Sequence, residues 1–301
     1  MLLFITFIGV LLIGYLAQTA GLCMYRGVNL WMRGKREFLI AILLSGVFAW
    51  VAAFYAYFAH LPTAFITLNV SPWLVLGGLL FGLGTAFNKG CGVSTLGKLT
   101  RGDLTMLATI SGWLLGWYIQ TKWGGQIDTK QSVATSLSSY ILLMIFSFAI
   151  LVWVLIGNKQ RIRLWLQLMT IGLVAGFLFL IEPKWPPSGL LNHIAVALTS
   201  NLPQQWPSLN QYLLFAGLLM GMFVSVFRAK RFGLLLPSFK QIVVHLTAGT
   251  LMGIGASLAA GGNDAQLLLA MPTLSLSSFI TVASMLFGIW CGIRIKIKFT
   301  S

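Results

Sequence analysis

The sequence predicts an all-α polytopic membrane protein of about nine transmembrane helices, in two inverted repeats with re-entrant half-helix loops and an hourglass-like profile. Three observations carry this. Hydrophobic residues make up 58% of the chain and charged ones only 8%, at a mean hydropathy of +0.89, which excludes an ordinary soluble domain. Apolar stretches of about 20 residues, enough to cross a bilayer as helix, recur from one end to the other. A glycine pattern occurs twice, 171 residues apart.

In chain order the spans fall at roughly 2–20, 38–60, 72–88, 103–121, 138–157, 163–181, 210–228, 242–260 and 275–293. The first begins "MLLFITFIGV" with no Lys or Arg, so it lacks the positive start of a signal peptide and reads as a retained helix. The third and eighth are the shortest, and each runs into a glycine-rich break. The polar-leaning stretch 182–208 reads as a loop. No segment is long enough for a separate soluble domain. The chain is therefore expected to be a single transmembrane transport domain, with repeat 1 at about 1–121, a linker helix at about 138–157 and repeat 2 at about 163–293.

The net charge of +15 invites a nucleic-acid reading, but the placement of the charges argues otherwise. With the N-terminus outside, seventeen Lys and Arg fall in inner segments and only Lys122, Lys130 and Lys184 in outer ones. That is the positive-inside pattern, with the C-terminus cytoplasmic. The basic residues orient the chain in the bilayer and meet anionic lipid. No nucleic-acid partner is implied.

Cys23, Cys91 and Cys291 form no CxxC pair, and His60, His193 and His245 are scattered at span ends and in a loop. Neither a metal site nor a disulfide framework is expected, and no cofactor. No Walker motif appears, which argues against direct coupling to ATP.

"GLLFGLGTAFNKGCG" (78–92) aligns with "GTLMGIGASLAAGGN" (249–263), placing Gly78, Gly82, Gly84 and Gly90 on Gly249, Gly253, Gly255 and Gly261. "GLC" at 21–23 has a looser counterpart in "GLL" at 189–191. Four spans, a linker span and four more invert the second copy, as in many transporters. Close helix packing alone would explain Gly78 and Gly82. It would not explain why both copies then break, start a short segment and resume a full span.

Backbone at membrane depth is tolerated only where protein or a wet cavity satisfies it. Gly90 and Gly92 permit a tight turn, and "VSTLGKL" supplies one or two helical turns before Arg101, Gly102 and Asp103 open the next span. A half-helix entering at its N-terminus aims free N–H groups and positive dipole at the bilayer's middle, which suits an anion. Cys91 sits at that tip. The second copy enters from the opposite face, so the two tips should nearly meet at a waist.

"GLCMYRGV", "GLGTAFNKGCGVSTLGKLTRGD" and "GIGASLAAGGN" resemble, in order, the cysteine-bearing segments of the YeeE/YedE sulfur-transport family. Its characterised members take up thiosulfate across the bacterial inner membrane. The resemblance implies inverted repeats whose re-entrant loops meet at a constriction, with cysteines lining the path, two of them at Cys23 and Cys91. By analogy it also implies a cytoplasmic sulfur-carrier protein as partner. A thiol suits such a path, because it contacts a terminal sulfur without holding it tightly. The family pattern usually places a third cysteine in the second break, where this chain has Gly261, Gly262, Asn263 and Asp264.

The expected substrate-binding set is therefore Cys23, Cys91, Gly90, Gly92, Gly262, Asn263 and Asp264. Asp264 either caps a short helix or, as an ionisable group at membrane depth, opposes an entering anion. Cys291, within "LFGIWCGIRI", reads as a small buried hydrophobe. The expected function is an inner-membrane permease for a small, thiosulfate-like sulfur anion rather than an enzyme. One alternative is an hourglass channel for another small solute, which Gly262 and Asp264 favour. The other is a membrane sulfurtransferase using Cys91, which needs a low-pKa thiolate; Lys89 would promote one, but no histidine accompanies either motif.

Overall fold

The computed structural model describes residues 2–61, 65, 67–124, 131–132, 137–200 and 206–300. Lys130, one of the three charges assigned to the outer side, lies outside the described residues.

The first half runs α1 (Leu2–Ala20), a short α2 (Met24–Met32), α3 (Glu37–Leu44) continuing through a 3₁₀ turn (Ser45–Ala49) into α4 (Trp50–Phe58), α5 (Pro72–Asn88), a short α6 (Gly92–Leu99) and α7 (Thr105–Trp123). Helix α8 (Leu137–Leu155) links the halves. The second half runs α9 (Lys159–Ile181), a short α10 (Pro187–Ser200), α11 (Leu209–Arg228), α12 (Phe239–Leu258), a one-turn α13 (Asn263–Ala265) and α14 (Leu276–Thr300). A π turn (Gln266–Ala270) and a 3₁₀ turn (Met271–Thr273) join α13 to α14. Extended structure among the described residues is limited to the two-residue pair Thr67–Leu68 with Gln131–Ser132 and a single parallel bridge between Asp103 and Leu235. Long, short, long, long, short, long is thus the order in both halves.

Among the described residues, eight helical segments are long and apolar enough to cross a membrane, against nine expected. The difference is α7. It has a spanning length of 19 residues, but Thr109, Gly112 and Gly116 make one face polar or bare. That face is buried against protein, so it does not need lipid-compatible side chains.

The stretch 182–208 is not simply a loop. It carries α10, and His193 lies on that helix. Pro187 opens α10 with a preset φ, and Leu190, Leu191, Ala195 and Ala197 give it an apolar face to bury. "GLL" at 189–191 therefore lies inside a helix, so it is not the counterpart of "GLC". Pro186 and Pro187, at the start of α10, stand where Cys23 and Met24 stand at the start of α2.

Glycine sets the packing. Gly78 and Gly82 on α5 meet the backbone of α14, while Gly249 and Gly253 on α12 meet that of α7. A Cβ at Gly82 would lie 2.3 Å from the Met285 carbonyl oxygen, and one at Gly253 would lie 2.1 Å from that of Trp113. Gly84 faces α12 and Gly255 faces α5. Further out, Gly14 and Gly221 bring α1 against α11, and Gly172 and Gly176 bring α9 against the Ser45–Ala49 turn. Exchanging the halves carries each of these contacts onto another.

The same exchange holds at the ends of α5 and α12. Lys89 and Ala260 both take left-handed backbone at φ 54°. The Lys89 and Gly90 N–H groups donate to Ala86 and Thr85 carbonyls, and those of Ala260 and Gly261 donate to Ser257 and Ala256, each pair 171 residues apart. This is a Schellman-type stop, which satisfies the last carbonyls before the chain turns.

Candidate functional site

Two short helices of the first half start at cysteine. Cys23 is the N-cap of α2 and Cys91 the N-cap of α6, both in extended backbone. The two thiols are neighbours, and Ser94 lies beside Cys23 while its hydroxyl donates to the Cys91 carbonyl at 3.0 Å. Two helix N-termini, with their unpaired N–H groups, thus converge on a pair of thiols. Cys91 is 1% exposed and Cys23 is 7%, so Cys23 is the more accessible of the two.

Cys23 and Ser94 line a cavity of about 260 Å³ together with Gln18 and four cations, Arg26, Lys89, Lys98 and Arg101; no acidic side chain lines it. Gln18 and Arg101 also line an adjoining cavity of about 370 Å³, where Arg163, Arg228 and Arg231 gather. Burial, then the like charges of Arg231 and Arg26, pull the Arg101 pKa below its ordinary value, although a guanidinium stays charged in proteins. Its buried Nε has no partner among the described residues. Cations massed this way repel one another, and an anion relieves them.

Asn88 holds the break in shape. Fully buried at the end of α5, its amide donates to the Gly90 carbonyl at 2.8 Å and to Thr95 Oγ1 at 2.7 Å. Its Oδ1 meets Thr109 Oγ1 at 2.8 Å and His245 Nδ1 at 2.8 Å, tying α5 to α6, α7 and α12. Lys98 Nζ donates to the Lys89 carbonyl at 3.0 Å, and Lys296 Nζ to that of Phe87 at 3.0 Å. Gly92 is required by packing, since a Cβ there would lie 2.5 Å from the Trp113 ring. Gly90 lends its carbonyl to the Asn88 network. Neither glycine lines the cavity, and neither does Cys91.

Helix α6 packs directly against α13 and α10 of the second half. There Gly262 is the N-cap of α13, as Cys91 is of α6. Asp264 Oδ2 accepts the Ser188 N–H of α10 at 3.2 Å. A Cβ at Gly262 would lie 2.6 Å from Asp264 Oδ1 and 3.1 Å from the Ser188 side chain. The Asp264 carboxyl thus fills the space that a thiol at 262 would need. Asn263 is buried beside it. Cys291 lies half-buried on α14 and does not line the cavity.

The structure brings together Cys23 with Cys91, and Gly262 with Asp264. Sequence reasoning missed Gln18, Ser94 and Ser188, gave Lys89 a role only in the sulfurtransferase alternative, and assigned Arg26, Lys98 and Arg101 no part in the site. A signal existed for most of them. Arg26, Ser94, Lys98 and Arg101 sit within the same segments as the cysteines, and Gln18 is a polar residue inside an apolar span. Ser188 had none, because its segment read as a loop.

An all-helical bundle with broken helices meeting near its middle is the architecture of a membrane transporter. The profile of the family described as sulphur transport matches residues 19–291, and the chain belongs to that family. It is also similar to the thiosulfate transporter TsuA of Spirochaeta thermophila, with 27% identity over 258 residues, 72% of this chain and 75% of the relative. The chain is accordingly a multi-pass membrane transporter for sulfur compounds rather than an enzyme.

Asn88→Ala should strand the Thr109, His245, Thr95 and Gly90 groups that Asn88 now satisfies. Net hydrogen-bond contributions of about 1 kcal/mol each put the expected loss at roughly 2–4 kcal/mol. A clear drop in thermal stability of the purified protein, with lower transport, is the expected result. An unchanged melting curve would show that the break is held by something else.

Proposed function

We propose that this protein is an uptake permease for thiosulfate or a close analogue, passing the anion inward along Cys91 and Cys23 to the cationic cavity. One observation carries the reading: Cys23, with Cys91 beside it, lines a cavity that Arg26, Lys89, Lys98 and Arg101 also line. The thiosulfate carried by the 27% identical relative supports the same substrate class.

Attraction and selection fall to different groups. At an effective dielectric near 20, one cation about 6 Å from a dianion attracts it by roughly 5–6 kcal/mol before screening. A thiol contact is worth no more than about 1 kcal/mol. The cations therefore supply the pull, and the polarizable thiols discriminate a terminal sulfur from oxygen. Lys98 is already engaged by backbone carbonyls, which blunts its pull and keeps the site from trapping the anion.

Under the same proposal the halves are inverted repeats of one transport domain, 1–121 and 163–293, about the linker helix α8. The matched element order and exchangeable glycine contacts support this. The N-terminus is outside and the C-terminus cytoplasmic in a bacterial inner membrane, on the seventeen-to-three split of basic residues. A reporter cysteine beside Arg231 should then label only after permeabilisation; labelling of intact cells would reverse the orientation. The arginine-lined inner cavity suits hand-over to a cytoplasmic sulfur carrier. A second reading, a channel for a different small solute, rests on Asp264 standing where a thiol would otherwise fit.

Radiolabelled thiosulfate uptake at matched membrane levels ranks the cysteines. Cys91→Ala and Cys23→Ala should each lower uptake by about fivefold, the equivalent of a lost contact of roughly 1 kcal/mol. Cys291→Ala should change little. Full uptake by the Cys91 variant would remove the thiol pathway. Absence of thiosulfate uptake by the wild type, with uptake of another solute, would favour the channel.

A further inference from the structure

Asp264 is the one acidic side chain buried in the core among the described residues, at 6% exposure. Its Oδ2 accepts the Ser188 N–H, and its Oδ1 has no hydrogen-bond partner among the described residues. On the same turn, Asn263 Oδ1 and Gln266 Oε1 are also buried acceptors without a donor. Three acceptor oxygens within four residues therefore lack a hydrogen.

Among the described residues, no cation is paired with them. The single salt bridge among the described residues joins Arg161 to Glu37, far along the chain from this turn. The elements packed against α13 are α10, α6 and the Gln266–Ala270 turn. On α10, His193 is held by Gln211 at 2.9 Å and Lys184 at 3.1 Å. On α6, Lys98 is bonded to the Asn88 and Lys89 carbonyls, and the Cys91 thiol faces Cys23. The turn itself carries no ionisable side chain.

A buried, unpaired carboxylate costs several kcal/mol, whereas a hydrogen bond to a charged group returns about 1.5–3 kcal/mol. The contacts from Ser188 and the Ala265 backbone do not offset the desolvation of the buried carboxyl, so the neutral acid is the stable form. A proton on Oδ1 is also the smallest ligand that supplies the missing donor. A metal cation is a poorer fit: hard cations want about six oxygens, and no cluster of three His, Cys, Asp or Glu groups exists among the described residues.

We propose that Asp264 is the proton-binding residue of this transporter: its carboxyl is neutral in the state that admits the anion, and one proton crosses with each anion. The proposal rests on the anion-uptake reading given above. The carboxylate takes a proton from outer water, the neutral acid no longer repels the anion at the waist, and both leave inward, restoring the carboxylate. One proton and one anion enter per cycle, and no other reactant is needed.

Two readouts on the full-length protein in proteoliposomes test this. The chain has only five Asp and Glu residues, so the infrared carbonyl stretch of a protonated carboxyl can be assigned to one of them. That band should be present in wild type at neutral pH and absent from Asp264→Asn. Radiolabelled thiosulfate uptake should rise as the outer pH falls, by up to about tenfold per pH unit above the titration point. Asp264→Asn, permanently neutral, should transport at a rate independent of pH, while His193→Gln should keep the wild-type profile. Absence of the band, a pH profile retained in Asp264→Asn, or a requirement for sodium in place of acid overturns the proposal. A wild type that moves no thiosulfate at any pH defeats the substrate reading instead, and the infrared band then decides whether Asp264 holds the proton.

Discussion

A helix interrupted inside a bilayer must have its freed N–H and C=O groups satisfied by protein, and the whole structure depends on meeting that demand twice. In the first half, Lys89 turns left-handed, Asn88 reaches back over the gap, and Lys98 and Lys296 cover the last carbonyls of α5. In the second half, Ala260 takes the same left-handed turn and Gln266 Nε2 donates to the Ala259 carbonyl at 2.6 Å. Once these groups are satisfied, the short helices can point their N-termini inward without loss. The site follows from that: the groups facing the middle are N–H donors and whatever side chains the cap positions carry.

Close glycine packing makes the breaks rigid enough to matter. With the α5–α14 and α7–α12 backbones in near contact, α6 has no freedom to drift from α10 and α13. On this shared frame the halves have diverged chemically. The first presents two thiols and a fan of cations; the second presents Gly262, Ser188 and a buried carboxyl. One repeated frame therefore carries two different sets of caps, with thiols and positive charge in the first half and an acid in the second.

Much of the fold was legible because lipid demands it. Spans are long and apolar, and a glycine repeated at a fixed offset survives translation into three dimensions: Gly78 and Gly249 make equivalent contacts. What escaped was fixed by protein–protein burial instead. Helix α7 is less apolar because α12 covers it, and α10 hid behind prolines and polar residues that resemble loop composition. At the site, the cap positions Cys23 and Cys91 were readable from their glycine neighbours. Their mutual contact was not, since nothing in the chain links residues so far apart. Asn88 was equally hidden, because an Asn before a lysine and glycine reads as a turn residue until four partners are seen around it.

The central claim is that a sulfur anion meets the Cys23–Cys91 pair on its way to the cationic cavity. An experimental structure of the protein with thiosulfate bound tests it most directly. The account predicts anion density within contact distance of the Cys23 or Cys91 sulfur, its oxygens directed toward Arg26 and Arg101. Thiosulfate seated elsewhere in the bundle, away from both thiols, would contradict it.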